Sequence, residues 1–267
     1  MASKGAITSD LRDDGVRVVT VDQPPVNALT VSGWFDLAAC LDDASADPHT
    51  KVVVLRAAGK GFNAGVDIKE MQTTRGFDAL VGANRGCYAA FKAVYECAIP
   101  VIAAVHGFCL GGGVGLVGNA DIVVASDDAY FGVPEVKQGA LGAATHMARL
   151  VPQHLMRTLY FTARTIKATD LITHGSVYAT VPREQLDELA LELAAEVAEK
   201  DTRVVRAAKA ALNGIDPVDV NKSYRFEQGF TFELNLSGVS DELRDAFAGT
   251  SKASASTGSA NARKGNA

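Results

Sequence analysis

Runs of β-branched residues alternate with helical patterns in the first half of the chain. Four such runs predict strands, over residues 16–21, 51–57, 100–105 and 121–126. The run at 51–57 is almost continuously apolar, which is typical of a strand buried on both faces. Between the runs, apolar residues recur at helical spacing, in a helix capped by Ser32 and in a second helix within residues 84–97. This alternation predicts an α/β fold with much parallel strand pairing.

The second half of the chain is mostly helical in pattern from Thr145 onward. Its strongest helical stretch covers residues 185–212, and a second one over 221–247 contains several aromatic residues. Residues 249–267 contain almost no apolar side chain, and this composition is typical of a disordered tail. The patterns divide the chain into a core at 1–200, a helical C-terminal region at 201–248 and a tail at 249–267.

Composition and charge exclude several classes of function. The chain has 267 residues, a net charge of −5 and no basic block, so nucleic acid is not an expected partner. No apolar run reaches the roughly 18–20 residues of a membrane span, and no secretory signal begins the sequence, so we expect a cytoplasmic protein without membrane contact. The five histidines do not have the spacing of metal ligands, so no metal site is expected.

Two glycine-rich segments, residues 59–70 and 106–115, carry the chemical information. Each follows a buried strand and leads toward a predicted helix. Glycine lets the backbone turn tightly and approach a ligand closely, and an N–H group at a helix N-terminus is a fixed donor toward negative charge. Two such donors that converge on one oxygen form an oxyanion hole. The two segments therefore predict a site that stabilises a developing oxyanion.

Residues 113–118 also match the GxGxxG pattern of dinucleotide-binding folds. That fingerprint requires a strand directly before the glycines and a helix of normal length after them. Here six residues separate the strand from the glycines, and the next predicted strand begins near Asp121. The context therefore argues against a dinucleotide site.

Several segments, in order along the chain, resemble the motifs of the crotonase family. They are residues 25–29 (PVNAL), 62–71 (FNAGVDIKEM), 107–113 (GFCLGGG), 121–125 (DIVVA) and 131–135 (FGVPE). The resemblance implies a ClpP-like spiral of ββα units, a helical C-terminal trimerisation region at 201–248, and a homotrimer or homohexamer. It also implies an acyl-CoA substrate.

The same resemblance implies roles for particular residues. The backbone N–H groups of Val66 and Gly112 would hold the thioester oxygen of the substrate. Four other residues would lie along the CoA: Ala28, Ala64, Asp67 and Ile68. For Asp67, a structural role in its own turn is the alternative to a role in catalysis.

One position departs from the enoyl-CoA hydratases of the family. Those enzymes use two glutamates to place and activate water; the second matches Glu135, but the first falls on Gly115. Simple hydration of an enoyl-CoA is therefore not the expected reaction. His146 stands where the hydratases tend to have glycine, and it is a second candidate acid or base, with a packing role as the alternative.

Residues 84–91, 139–157 and 224–236 are similar to the crotonase-family ring hydrolases of actinobacterial cholesterol degradation. That similarity implies a carbon–carbon hydrolase that opens the five-membered ring of a bicyclic keto acyl-CoA derived from steroid rings C and D. The reaction would be a retro-Claisen cleavage through a thioester enolate, and it requires no cofactor. Three alternatives stay open: a single-glutamate enoyl-CoA isomerase, a non-catalytic acyl-CoA binding protein and an enoyl-CoA hydratase.

Overall fold

The computed structural model describes residues 6–74 and 77–246. The strands are Ala6–Leu11 (β1), Val16–Asp22 (β2), Val52–Ala57 (β3), Val101–Val105 (β4), Phe108–Leu110 (β5), Ile122–Ser126 (β6), Tyr130–Gly132 (β7), Thr165–Lys167 (β8) and Ala179–Val181 (β9). The α-helices are Val31–Ala46 (α1), Ile68–Thr73 (α2), Asp78–Tyr95 (α3), Gly112–Val117 (α4), Ala144–Leu150 (α5), Gln153–Thr162 (α6), Ala168–Ile172 (α7), Leu186–Ala198 (α8), Thr202–Gly214 (α9) and Val220–Leu236 (α10). Short 3-10 helices cover Pro134–Gln138 and Arg183–Gln185, and residues 239–246 are also helical. The tail predicted at 249–267 lies outside the described residues.

The main sheet has six strands in the order β1-β2-β3-β4-β6-β9. The pair β1–β2 is antiparallel, whereas the other neighbours in this sheet pair in parallel. One face of the sheet packs on α1 and the other on α8, so the strands between these helices have apolar side chains on both faces. The predicted α/β fold with parallel pairing is confirmed.

A second sheet of three strands has the order β5-β7-β8. Strand β4 of the main sheet is followed by β5 of the second sheet and then by α4, and β6 is followed in the same way by β7 and the 3-10 helix Pro134–Gln138. Each repeat thus places one strand in each sheet before a helical turn, which is a spiral of ββα units. The two glycine-rich segments lie at the turns of this spiral.

Several local predictions needed correction. Helix α1 is capped by Thr30, whose side chain accepts a hydrogen bond from the Gly33 N–H at 3.2 Å, and not by Ser32. The helical pattern over 185–212 is two helices, because Asp201 accepts a hydrogen bond from the Arg203 N–H and begins α9. The pattern over 221–247 is interrupted at Gly238, which has a φ of 83°. Side-chain periodicity continued across both breaks, so it did not reveal them.

The C-terminal helix packs on the chain's own core. Helix α10 contacts α5 and α3, and Tyr224 near its start belongs to the main apolar cluster. The region that the resemblance assigns to trimerisation is therefore also part of the wall around the candidate site.

Candidate active site

Backbone hydrogen bonds hold the two glycine-rich segments side by side. The Asn63 N–H donates to the Phe108 carbonyl at 3.3 Å, and the Leu110 N–H donates to the Asn63 carbonyl at 2.9 Å. The buried Asn63 side chain accepts a hydrogen bond from the Gly65 N–H at 2.7 Å. The two segments therefore act as one unit, and Val66 in the first lies close to α4 in the second.

Val66 and Gly112 line one cleft, as the oxyanion-hole prediction requires. A Cβ atom placed on Gly65 would lie 3.2 Å from the Gly112 nitrogen, so the two backbones are in close contact. We find no hydrogen-bond partner for the Val66 or Gly112 N–H within residues 6–74 and 77–246. Both donors are thus available to a ligand oxygen, although their convergence on a thioester stays a prediction.

Glu135 lies in the 3-10 helix directly after Pro134, and its carboxyl group enters the same cleft. A Cβ atom on Gly111 would lie 2.4 Å from its Oε1, so the acid sits against the loop that carries the Gly112 N–H. The residue as a whole is half-buried, but Oε2 is buried and has no partner among the described residues. Burial, together with the negative charge of Glu227, raises the pKa of Glu135 to about 8.

The place next to Gly115 is filled by an aromatic ring. A Cβ atom on Gly115 would lie 2.2 Å from the Phe91 ring, which itself lines the cleft. A glutamate at position 115 would therefore need Phe91 to move. Glu135 is the one carboxylic acid among the described residues that line this cleft.

His146, the second predicted acid or base, is not among the residues that line the cleft. It is fully buried in the first turn of α5, in an aromatic cluster formed by Trp34, Phe91, His146 and Tyr224. Its ring centroid is 4.8 Å from that of Phe91 and 4.9 Å from that of Tyr224. Neither ring nitrogen has a partner in the described structure, and burial lowers the pKa of His146 to about 3.

The predicted CoA-contact residues divide into two pairs. Ala64 and Ile68 line the cleft, whereas Ala28 and Asp67 do not. Asp67 caps α2, because its Oδ1 accepts hydrogen bonds from the Lys69 N–H at 2.9 Å and the Glu70 N–H at 3.4 Å. Asp67 therefore has a structural role as the N-cap of α2. A contact of Ala28 or Asp67 with CoA stays a prediction.

The C-terminal part of the chain contributes cleft residues that the motifs did not reveal. They are Tyr224, Thr231, Asn235 and Arg244. Three of them lie on one face of α10, together with the buried Glu227. Buried polar residues at such helical spacing are unusual on a core-facing helix, and this spacing is the signal that sequence reasoning could have used.

Residues 6–74 and 77–246 were also considered for a metal centre and for a membrane-spanning helix. They contain no group of three or more His, Cys, Asp or Glu side chains placed to hold a metal ion. Within the same ranges, no helix is both long enough and apolar enough to cross a membrane.

Comparison with known proteins agrees with this geometry. Residues 12–233 match the enoyl-CoA hydratase/isomerase family. The (7aS)-7a-methyl-1,5-dioxo-2,3,5,6,7,7a-hexahydro-1H-indene-carboxyl-CoA hydrolase of Rhodococcus jostii (strain RHA1) is 67% identical over 92% of this chain and 95% of its own. The protein of the same name from Mycobacterium tuberculosis (strain ATCC 25618 / H37Rv) is 66% identical over 90% of this chain and 98% of its own.

Solved structures of the same family have the same fold. The enoyl-CoA hydratase/isomerase from Xanthobacter autotrophicus Py2 superimposes with a TM-score of 0.80 at 28% identity and covers 88% of each chain. The enoyl-CoA hydratase/isomerase from Pseudoalteromonas atlantica T6c gives a TM-score of 0.81 at 25% identity, over 91% of this chain and 97% of that one. The chain therefore belongs to the enoyl-CoA hydratase/isomerase family of enzymes and has the crotonase fold.

Proposed function

We propose that this enzyme hydrolyses a carbon–carbon bond and opens the ring of a bicyclic keto acyl-CoA from steroid rings C and D. The observation that carries the proposal is the Phe91 ring packed against Gly115, which leaves Glu135 as the cleft's one described carboxylic acid. The cleft therefore has no room at position 115 for the first glutamate of a two-glutamate hydratase. The two relatives at 66–67% identity, which are named as hydrolases of such a CoA ester, support the ring-opening reaction over the alternatives.

The reaction begins with addition of water to the ketone of the five-membered ring. The bond from this carbon to the methyl-bearing ring-fusion carbon then breaks, and its electron pair moves through the conjugated system to the thioester oxygen. The N–H groups of Val66 and Gly112 stabilise this enolate, which carries more negative charge than the substrate does. The ketone carbon becomes a carboxylate, and a proton added to the carbon skeleton restores the thioester. No electron is gained or lost overall, so the reaction requires no redox cofactor.

Glu135 is the proposed acid/base residue. With a pKa of about 8, Glu135 is mostly protonated at pH 7, and its ionised fraction accepts the proton of the attacking water and then returns it to the enolate system. The rate should therefore rise as the pH approaches 8. His146 was the second candidate, and it contacts the cleft walls Phe91 and Tyr224 without lining the cleft itself. A direct role for His146 would require these rings to move, so Glu135 alone is assigned proton transfer in this proposal.

A mass measurement on the bicyclic CoA ester separates the candidate functions. Purified protein is mixed with the ester, and the products are followed by mass and by titration of new acid. A gain of one water together with a new carboxylate is the expected result. An unchanged mass with a moved double bond would replace the proposal by an isomerase, and a gain of water without acid would replace it by a hydratase. Binding without any product would indicate an acyl-CoA binding protein.

We also propose that the chain forms a homotrimer or homohexamer in the cytoplasm. Large apolar side chains are exposed on α9, at the residue that follows it, and on α10: Leu212, Ile215, Phe226 and Leu236 are each at least 61% exposed. Such a surface favours burial against another subunit. Light scattering coupled to gel filtration is expected to give three or six chain masses, and a monomer at micromolar concentration would contradict the assembly.

A further inference from the structure

The carboxylate of Glu227 is buried between α10 and the start of α5. It accepts hydrogen bonds from the Ala144 N–H at 2.9 Å and from the N–H and hydroxyl groups of Thr145, both at 3.3 Å. The Tyr160 hydroxyl from α6 donates to it at 3.3 Å. These four donors bring three helices together at one carboxylate, and neither the motifs nor the proposed reaction gives this residue a role.

The segment that Glu227 holds also contacts Glu135. Residues 139–145, here called the cleft loop, follow the 3-10 helix of Glu135, and the Ala140 N–H donates to the Glu135 carbonyl at 3.1 Å. A Cβ atom on Gly142 would lie 3.7 Å from Glu135 Cγ, and the Gly142 N–H donates to the Tyr160 hydroxyl at 3.2 Å. Glu227 and Tyr160 therefore hold the part of the backbone that packs against the Glu135 side chain.

We propose that Glu227, with Tyr160, is a positioning residue for Glu135: its carboxylate fixes the cleft loop and places a second carboxyl group beside the cleft. The inference rests on the role of Glu135 in the proposed function. The pair resembles other sites in which two carboxyl groups have opposite surroundings and so different tasks. Glu227 has four donors, whereas Glu135 Oε2 has none in the described structure.

The surroundings decide which member of the pair carries the proton. Burial raises the pKa of Glu227, and hydrogen bonds from the Ala144 and Thr145 N–H groups offset part of that rise. The negative charge of Glu227 in turn raises the pKa of Glu135. The four donors favour the negative charge on Glu227, whereas Glu135, which has no donor at Oε2 in the described structure, favours the proton.

Other titratable groups around the pair do not compete for this charge. Cys87 on α3, Tyr160 on α6 and Tyr224 on α10 each interact with Glu135. Burial raises the pKa of all three, so they are neutral at pH 7. The negative charge next to Glu135 thus comes from Glu227 on α10. It does not come from the position of the hydratases' first glutamate, because that position is Gly115 here.

The test compares pH profiles of three variants with the wild-type enzyme. Glu227→Gln removes the charge, and we expect the pH at which kcat/KM reaches half its plateau to fall by roughly half a unit or more. We also expect kcat to fall roughly tenfold with little change in KM, because N–H and hydroxyl groups of the cleft loop lose an acceptor oxygen and the loop is held less firmly. Tyr160→Phe keeps the charge, so kcat should fall without a shift of the profile. Glu233→Gln, on the exposed side of α10, is the control and should change neither quantity.

A second measurement needs neither substrate nor a stable Glu227 variant. In wild-type enzyme labelled with ¹³C at the glutamate carboxyl groups, NMR titration should show one carboxyl group that ionises near pH 8 and disappears in Glu135→Gln. The Glu227 carboxyl group should ionise at a lower pH than that of Glu135. If Glu227 is protonated while Glu135 is ionised at pH 7, the inference is overturned. If the titrations agree but no ring-opened product forms, the proposed function fails and the positioning of Glu135 stands.

Discussion

The cleft around Glu135 and the aromatic cluster around His146 adjoin each other, and each contains one buried ionisable side chain. Burial disfavours the charged form in both, so the pKa of Glu135 is raised to about 8 and that of His146 is lowered to about 3. Both are neutral at pH 7. They differ in access, because Glu135 lines the cleft beside Gly112 and His146 contacts only its walls. A shifted pKa therefore marks burial, and contact with the reacting atoms has to be shown separately.

The largest expected difference is between two variants in which Glu135 or His146 is replaced by an uncharged side chain of similar size. Glu135→Gln should lower kcat for ring opening by roughly 10²–10⁴-fold, because it removes proton transfer and keeps the cleft's shape. His146→Leu should leave kcat within about threefold, because neither ring nitrogen has a described hydrogen-bond partner to lose. Steady-state kinetics on the bicyclic CoA ester measure both. A large loss in His146→Leu with normal folding would break the comparison and make the histidine catalytic.

The next effect concerns the close approach of Glu135 to the second glycine-rich segment. Gly111 has a φ of 53°, and a Cβ atom there would lie 2.4 Å from Glu135 Oε1. Gly111→Ala should therefore displace the acid or the neighbouring Gly112 N–H and lower kcat by roughly 10²-fold. Gly229→Ala on α10 is the matched control, since a Cβ there meets nothing within 4 Å. Equal kinetics of the two variants would contradict the tight fit between Glu135 and this loop.

The raised pKa of Glu135 also affects stability. Its value of about 8 in the folded state exceeds the ordinary value of 4.5, so its contribution to stability is fully present below pH 4.5 and is lost as the pH rises through 8. Glu135→Gln lacks this loss. At pH 9 the variant should have a higher free energy of unfolding than wild type, by about 5 kcal/mol at most, and at pH 4 the two should agree. Urea unfolding at both pH values measures the difference, and equal values at pH 9 would argue against burial of this acid.

The smallest expected effect is at His146, where the pH dependence of stability has the opposite direction to that at Glu135. Its pKa of about 3 lies below the ordinary value of 6.5, so its contribution is present above pH 6.5 and is lost as the pH falls toward 3. From pH 7 to pH 4.5, wild type should therefore lose more stability than His146→Leu, by an amount on the order of 2 kcal/mol. Thermal unfolding at the two pH values measures this. Parallel losses in both proteins would show that the histidine is solvated and not enclosed by the aromatic rings.

The sequence by itself determined the family, the alternation of strands and helices, and the elements of the oxyanion site. These features depend on local chemistry: β-branched runs favour buried strands, and glycines at fixed positions permit the close approach of 59–70 to 106–115. Strand β1 was not predicted, because it is an edge strand with mainly exposed side chains and shows no alternation. Glu135 was recognised from its motif, but its pKa depends on burial that no local pattern contains.

Only the tertiary structure decided which predicted residues share the cleft. Its packing put Phe91 against Gly115, enclosed His146 between two aromatic rings, and brought Glu227 from α10 to the cleft loop that packs on Glu135. These contacts join residues that lie 24 to 92 positions apart in the chain, such as Phe91 with Gly115 and Glu135 with Glu227. Periodicity and motifs report what lies within one element or one turn. Desolvation and the pairing of buried charges depend on every element packed around a group, so they exist only once the chain has folded.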